Sequence, residues 1–191
     1  GLRPIKEVPL IAVVSRLTYQ KGFHLVLDEL ENLLQFDVQF VLLGTGDPVF
    51  ENRFQSIAER YPEKCSVSIS FDVQLAQKMY AGADIFLMPS AFEPCGLSQM
   101  ISMRYGTLPV VHEIGGLRDT VEPFNPIEGT GTGFGFQDFT SYNLMQCLQK
   151  AIDLYYSSPE VWDKLRRNAM SKDFSWETSC KGYLTLYESI V

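Results

Sequence analysis

Long apolar segments are missing from this 191-residue sequence. Its longest apolar runs, at residues 10–14 and 38–44, fall far short of the roughly 18–20 residues that a membrane-spanning helix needs. Residues 1–9 lack the apolar core of a signal peptide. We therefore expect no membrane partner and a cytoplasmic location.

Motifs that bind nucleotide cofactors are missing as well. No G-x-G-x-x-G sequence follows the first predicted strand, and no P-loop occurs. The glycine series at 128–136 neither follows a strand nor opens a helix. The sequence also lacks an Asp-x-Asp pair that would hold the metal of a sugar nucleotide. It therefore predicts neither a cofactor nor a metal site.

Histidine and cysteine are scarce. Neither of the two histidines, His24 and His112, adjoins a plausible nucleophile, which argues against a hydrolase triad. The four cysteines are far apart and form no C-x-x-C pair, so zinc and redox sites are not expected. Reduced thiols of a cytosolic protein account for them.

Positive charge is also in short supply. The formal net charge is −7, without the basic stripe that a nucleic-acid surface needs, so no nucleic-acid partner is expected. Distant charges are screened beyond roughly 8 Å at physiological salt. A local pair of cations can therefore still bind one anionic small molecule.

Short apolar runs alternate with longer segments of helical periodicity over residues 9–113. Strands separated by helices in this way indicate right-handed crossovers and a doubly wound, Rossmann-like parallel α/β sheet with helices on both faces. The predicted strands are 9–15, 38–44, 65–71, 84–89 and 108–113, and the predicted helices are 21–34, 49–60, 74–83 and 96–105.

The C-terminal third has a different character. Residues 123–136 form a loop rich in glycine and proline that closes on a short strand. Three helices are predicted after it, at about 140–157, 159–171 and 173–191. The last helix carries more apolar residues than one face needs, which indicates contact with a partner; plain packing on the sheet is the alternative.

Ligands of doubly wound folds bind at the carboxyl ends of the strands, near the point where the strand order reverses. Arg16 stands at the end of the first predicted strand and Lys21 at the start of the next helix. A planar guanidinium and a mobile ammonium together suit a diphosphate. Ordinary surface cations remain the alternative.

The junction SAFEPCGLSQM at 90–100 is more informative. With Pro94 in the first turn of a helix, the N–H groups of Cys95, Gly96 and Leu97 are expected to be free for an anion or hydroxyl. The same helix N-terminus would keep Glu93 ionised, and its oxygens suit sugar hydroxyls. The alternative is that Glu93 only caps its own helix.

The stretch GGLRDTV at 115–121 has a similar composition. Two glycines precede a predicted helix start at Asp119 and Thr120, so two glycine-rich helix N-termini are expected to face one cleft. A simple turn with a capped helix is the alternative.

Several stretches, taken together and in order, resemble bacterial glycogen synthases and plant starch synthases, which are retaining glycosyltransferases of two-domain GT-B architecture. The resemblance covers nearly the whole chain and implies one half of a GT-B fold. The stretches are SRLTYQKG, LLGTGDP, GADIFLMPSAFEPCGLSQ, YGTLPVV, GGLRDTV and DFSW.

The resemblance also implies roles for individual residues. Arg16 and Lys21 would bind the donor's diphosphate, and Glu93 would be the catalytic acidic residue that contacts the donor glucose. The backbone of residues 95–97 would touch sugar and phosphate. Phe71 would lie near the adenine, where the family often has a tyrosine.

One position separates this chain from related sugar-nucleotide transferases. Those enzymes carry a second glutamate eight residues after the first, and Ile101 stands there in this sequence. Gln99 instead matches the glycogen and starch synthase version of the motif.

The implied reaction transfers glucose from ADP-glucose to the non-reducing 4-hydroxyl of an α-1,4-glucan with retention of configuration. Residues 1–172 would be the Rossmann-like ADP-glucose-binding domain, and residues 173–191 a C-terminal helix that crosses back to an N-terminal domain. That domain, which would bind the glucan, is not in this sequence. We therefore expect a donor-binding half that is inactive alone.

Two alternatives remain open. The chain resembles related GT-B transferases that use UDP-sugars, and it is also compatible with a non-catalytic nucleotide- or carbohydrate-binding module. A pure carbohydrate platform would need exposed aromatic rings rather than an arginine–lysine pair.

Overall fold

The structure is a computed structural model that describes residues 2–190. Its centre is a six-stranded parallel sheet in the order β3-β2-β1-β4-β5-β6. The strands are β1 Leu10–Val14, β2 Gln39–Leu43, β3 Cys65–Ser68, β4 Ile85–Met88, β5 Leu108–His112 and β6 Phe134–Phe136.

This strand order confirms the doubly wound fold. The chain runs outward from β1 through β2 to β3, then returns to place β4 on the other side of β1. The crevice between the carboxyl ends of β1 and β4 is therefore the switch point, where such sheets bind ligands.

Helices cover both faces of the sheet, as the sequence predicts. In β1, Ile11 and Val13 join the larger core cluster, whereas Ala12 between them joins a second cluster with Met79 and Tyr80. The α-helices are α1 Phe23–Leu33, α2 Pro48–Arg60, α3 Val73–Gly82, α4 Ser98–Tyr105, α5 Gly115–Thr120, α6 Ser141–Ser157, α7 Pro159–Ser171 and α8 Trp176–Ser189.

Side-chain caps fix where two of these helices begin. The carboxylate of Asp47 accepts a hydrogen bond from the Val49 N–H at 2.8 Å, with Pro48 in the first helical position of α2. The carboxylate of Asp72 accepts one from the Leu75 N–H at 2.9 Å at the start of α3. Each cap satisfies an N–H that the helix itself leaves free.

Several predicted boundaries are wrong. The third strand ends at Ser68 rather than at residue 71. Helix α4 begins at Ser98 rather than at residue 96, because Gly96 has a left-handed backbone with φ of +73° that cannot continue a helix. Asp119 and Thr120 end α5 instead of starting it, since the preceding glycines themselves form its first turn.

The last helix stands apart from the core. None of the residues 176–189 is buried, so the alternative of plain packing on the sheet is not observed. Its large apolar side chains, among them Leu184 and Tyr187, are 59% and 61% exposed. No helix within residues 2–190 has the length and apolar character to cross a membrane.

Replacing Gly22 with alanine tests how closely the chain segments after β1 and β4 are joined. Gly22 has φ of +76°, and an added Cβ would lie 1.8 Å from the carbonyl oxygen of Pro89. We expect Gly22→Ala to lower the free energy of unfolding by about 2 kcal/mol or more, since the left-handed backbone alone costs about 1–2 kcal/mol. Urea unfolding measures the change.

Gly82→Ala is the matched control. Nothing lies within 4 Å of the Cβ that it adds. Because alanine favours a helix over glycine by about 0.5–1 kcal/mol, this variant should be as stable as the parent or slightly more stable. Equal stability of the two variants would contradict the close approach of Gly22 to Pro89.

Candidate functional site

The site lies at the switch point of the sheet. Arg16 follows β1 by two residues, and Lys21 ends a single turn of 3-10 helix at Tyr19–Lys21. Glu93 lies in the segment after β4. A cleft of about 200 Å³ between these segments is lined by Arg16, Lys21 and Ser90, among others. The structure thus brings the two predicted cations to the edge where a ligand is expected.

Hydrogen bonds join the segments after β1 and β4 into one unit. The Ala91 N–H donates to the carbonyl of Gln20 at 2.9 Å. The side-chain amide of Gln20 in turn donates to the carbonyl of Phe92 at 3.1 Å. With Gly22 pressed against Pro89, these bonds fix where Lys21 and Glu93 lie relative to each other.

Lys21 and Glu93 form an ion pair across the cleft. The side chains are 18% and 10% exposed, so both charges are largely removed from water. The hydroxyl of Ser90 donates a second hydrogen bond to the same carboxylate at 3.3 Å. A carboxylate this deeply buried needs such partners.

These contacts correct the expected environment of Glu93. A helix N-terminus does not hold it, because α4 begins five residues later at Ser98, and Glu93 does not cap that helix either. Pro94 is accordingly not in the first helical turn. The charge of Glu93 is instead balanced by Lys21.

Arg16 differs from Lys21 in being exposed. Its guanidinium forms no ion pair or hydrogen bond with any residue from 2 to 190. One cation of the predicted pair is thus neutralised by a carboxylate, and the other keeps its donors available.

Residues 95–97 form a turn rather than the start of a helix. Gly96 is left-handed, and Leu97 follows it with φ of −111° and ψ of −32° in the right-handed region. Within the described chain, the N–H groups of Cys95, Gly96 and Leu97 find no acceptor. Successive amides in such a turn make a concave anion-binding nest. We call residues 95–97 the nest turn.

The two glycines at 115 and 116 support this turn. The Gly116 N–H donates to the Glu93 carbonyl at 2.9 Å. A Cβ on Gly116 would lie 2.1 Å from the Cys95 carbonyl oxygen, and one on Gly115 would lie 2.3 Å from that of Glu93. The helix start expected at Asp119 and Thr120 is therefore wrong, and the expectation that two glycine-rich helix N-termini face one cleft stays a prediction.

Phe71 lies beyond the carboxyl end of β3, at the edge of the sheet. Its side chain is 90% exposed, so its ring is free to stack on a flat ligand. Since neighbouring strands are about 4.8 Å apart, the end of β3 is roughly 10 Å from that of β1. The adenine role stays a prediction.

Sequence reasoning missed Ser90 and His112 as parts of the site. The ring Nδ1 of His112 lies 2.8 Å from the Ser90 carbonyl oxygen, and its Nε2 lies 3.1 Å from that of Gln137. His112 is 7% exposed at the end of β5. The sequence could have indicated a role for His112 only through its position at the end of a buried strand.

The cysteines and acidic residues add no further chemistry. All four cysteines are free thiols, and burial raises the pKa of Cys65 and Cys147 to about 12. Neither buried thiol is therefore a nucleophile at neutral pH. In the part of the chain that the structure covers, no group of three His, Cys, Asp or Glu residues could hold a metal ion.

Sequence comparison identifies close relatives of this chain. It is 61% identical over all of its 191 residues to the glycogen synthase of Ligilactobacillus salivarius, and 60% identical to that of Streptococcus pneumoniae. The chain spans about 40% of the length of each of these relatives.

Solved structures agree with this result. The catalytic domain of starch synthase IV from Arabidopsis thaliana, bound to ADP and acarbose, superposes with a TM-score of 0.89 at 35% identity. That alignment covers 99% of this chain and 40% of the other. A sucrose-phosphate synthase from Thermosynechococcus elongatus shares the fold, with a TM-score of 0.70 at 21% identity. That alignment covers 96% of this chain and 45% of the other.

The family model described as "Glycosyl transferases group 1" matches residues 2–172. This match takes in every strand and every helix up to α7, and with them the whole cleft between β1 and β4. The chain belongs to the glycosyl transferases group 1 family.

Proposed function

We propose that this chain is the donor-binding half of a glycogen or starch synthase. The complete enzyme would transfer glucose from ADP-glucose to the non-reducing 4-hydroxyl of an α-1,4-glucan with retention of configuration. The observation that carries the proposal is the cleft at the β1–β4 switch point, which Arg16 and Lys21 line and where Lys21 is paired with Glu93. Identity of 60–61% to glycogen synthases over the whole chain supports it.

The diphosphate of the donor would bind Arg16 and Lys21. Arg16 offers an unused planar fork, which suits two phosphate oxygens at once. Lys21 already holds one carboxylate, so a diphosphate would have to share or replace Glu93 as its partner. Lys21 would then act as an exchangeable cation that passes from carboxylate to phosphate when the donor arrives.

Glu93 would gain freedom by the same exchange. Once Lys21 turns to the phosphate, the carboxylate of Glu93 has acceptor capacity for hydroxyls of the donor glucose, while the Ser90 hydroxyl still orients it. This order of events links the placement of the sugar to the binding of the diphosphate.

Bond cleavage would place charge at both ends of the donor. A glycosyl transfer passes through a sugar with oxocarbenium character, and the diphosphate leaves with added negative charge. Arg16, Lys21 and the nest-turn amides would stabilise that charge. A unit charge at 4 Å is worth about 4 kcal/mol at an effective dielectric of 20, against about 1 in water. Catalysis therefore needs a closed, dry cleft.

A second domain would have to close this cleft. The chain spans about 40% of its relatives' length, and the glucan groove would belong to the remainder. Helix α8 lies outside the matched family region and has no buried residue, so its apolar side chains are available to pack on that second domain. We accordingly propose that residues 173–191 cross back to it and that the complete enzyme works in the cytoplasm.

The exposed ring of Phe71 would stack on the adenine of the donor. A phenyl ring supplies a face for stacking but lacks the hydroxyl of a tyrosine.

Removing Arg16 should weaken ADP binding. We expect Arg16→Ala to lose about 1.5–3 kcal/mol, or roughly ten- to one-hundredfold in Kd, as for a charged hydrogen bond. Isothermal titration calorimetry with ADP measures this. Arg53→Ala removes another exposed arginine, on α2, and should leave the affinity unchanged. Equal affinity of both variants for ADP would place the anion site elsewhere.

Neutralising Glu93 should have the opposite effect on ADP itself. Glu93→Gln frees Lys21 from its carboxylate, so ADP should bind at least about fivefold tighter, since a largely buried cation that has lost its partner gains more from an incoming phosphate than an exposed one would. The additional affinity that glucose gives to ADP-glucose should disappear. Glu113→Gln removes a nearby half-buried carboxylate that does not contact Lys21, and should change neither ligand's affinity. Weaker ADP binding by Glu93→Gln would contradict the exchange.

The isolated chain should bind the donor but transfer nothing. We expect ADP to bind more tightly than UDP, and no extension of maltooligosaccharides from ADP-glucose, because one domain cannot close the cleft. The full-length synthase from Ligilactobacillus salivarius is the positive control in the same assay. Tighter binding of UDP, maltooligosaccharide binding without ADP binding, or polymerisation by this chain would each refute the corresponding part of the proposal.

A further inference from the structure

Gln99 is a buried polar residue that the proposed mechanism does not use. Its side chain is 0% exposed, in the first turn of α4 behind the nest turn. The amide nitrogen Nε2 lies 3.1 Å from each of the carbonyl oxygens of Cys95 and Gly96 and 3.0 Å from the hydroxyl of Thr120, and its two N–H bonds are shared among these three acceptors. One side chain therefore joins the nest turn to α5.

The orientation of the Gln99 amide follows from its neighbours. Turning it over would set the amide oxygen against two carbonyl oxygens, which cannot donate. In the observed orientation, Oε1 is buried without a hydrogen-bond partner. An unmet buried acceptor is unfavourable and calls for an explanation. The two donors on Nε2 provide one, because they hold the carbonyls of the nest turn.

Peptide geometry extends this effect to the amides. In a planar trans peptide, the carbonyl of one residue and the N–H of the next point in opposite directions. Because Gln99 holds the Cys95 and Gly96 carbonyls on its buried side, the N–H groups of Gly96 and Leu97 must point away from it. Ser98, the next residue, lines the cleft. These are two of the N–H groups that have no acceptor in the described chain.

Thr120 and Gly116 of α5 continue the hydrogen-bond network of Gln99. The hydroxyl of Thr120 accepts from Gln99 and donates to the Gly116 carbonyl at 2.6 Å. Gly116 in turn donates its N–H to the Glu93 carbonyl at 2.9 Å. A Cβ on Gly96 would lie 2.5 Å from Oε1 of Gln99, so this position has room only for glycine. The contacts thus run from Gln99 through α5 back to Glu93.

We propose that Gln99 is a positioning residue that turns the Gly96 and Leu97 amides away from the interior, beside Ser98 at the cleft, and, through Thr120 and Gly116, fixes the backbone at Glu93. The hydrogen-bond acceptor that these amides meet is an oxygen of the donor's diphosphate or of its sugar. This inference therefore rests on the proposed function. Gln99 itself touches no ligand.

The decisive variant is Gln99→Glu, which keeps the shape but replaces the donating nitrogen with oxygen. Its carboxylate repels the two carbonyls and favours turning the peptide N–H groups inward. In ¹⁵N–¹H NMR spectra of the ligand-free chain, we expect large shifts at Gly96, Leu97 and Gly116. On titration with ADP, Gly96 and Leu97 should lose their ligand-induced shifts while Lys21 keeps its own, and ADP should bind at least about fivefold more weakly.

Gln77→Glu is the matched control, because it introduces the same charge at an exposed position on α3. It should reproduce the parent spectrum and affinity. If Gln99→Glu does not fold, Thr120→Val removes one of the three acceptors and should give the same shifts to a smaller degree, whereas Thr120→Ser should restore the parent values.

The outcomes separate the two proposals. Unchanged ligand-free shifts at Gly96 and Leu97 in Gln99→Glu, or unchanged ADP-induced shifts with affinity within twofold, overturn the role of Gln99. Failure of the parent chain to bind ADP refutes the proposed function. In that case the ligand-free shifts still decide whether Gln99 aims the nest-turn amides.

Discussion

The ion pair between Lys21 and Glu93 is the interaction on which the site depends. It joins the segments after β1 and β4, the two strands between which the order of the sheet reverses. The Glu93 side chain is only 10% exposed, and the adjacent ammonium of Lys21 balances its charge. On the proposed function, an incoming diphosphate would compete for that cation. The same contact joins the two loops, and on the proposed function it would exchange with an incoming anion. Arg16 differs from Lys21, because it is exposed and has no partner among residues 2–190.

Close backbone approaches hold this pair in place. Gly22 lies against the Pro89 carbonyl, and Gly116 lies against the Cys95 carbonyl. At each point a Cβ would collide with backbone that has no room to move, so each glycine serves a packing need. The buried amide of Gln99 does the same work through hydrogen bonds. Packing and hydrogen bonds on the buried side therefore fix the backbone of the segments around the cleft.

The sequence predicts the fold well because its signals are local. Unbroken apolar strands alternate with periodic helices, and this pattern determines a parallel doubly wound sheet and the edge at which Arg16 and Lys21 lie. The start of α4 could not be predicted in this way. Pro94 and Gly96 are compatible with a helix N-terminus, and only the contacts of Gly96 with Gln99 show that the chain forms a left-handed turn there.

The ion pair of Lys21 and Glu93 could not be predicted either, because the two residues are 72 positions apart in the sequence. Lys21 and Glu93 were each expected to meet the ligand, but no local pattern showed that they meet each other. The support given by Gly116 to the nest turn and the place of His112 beside Ser90 are of the same kind. The excess of apolar residues in α8 is a local property, so the sequence could indicate contact with a partner, which stays a prediction.

A crystal structure of this chain with ADP tests the central claim most directly. The account predicts that the β-phosphate lies at the carboxyl ends of β1 and β4, bonded to Arg16 and Lys21 and facing the nest turn, with the contact between Lys21 and Glu93 loosened or broken. ADP bound at another place, with that ion pair unchanged and Arg16 still facing solvent, would contradict it.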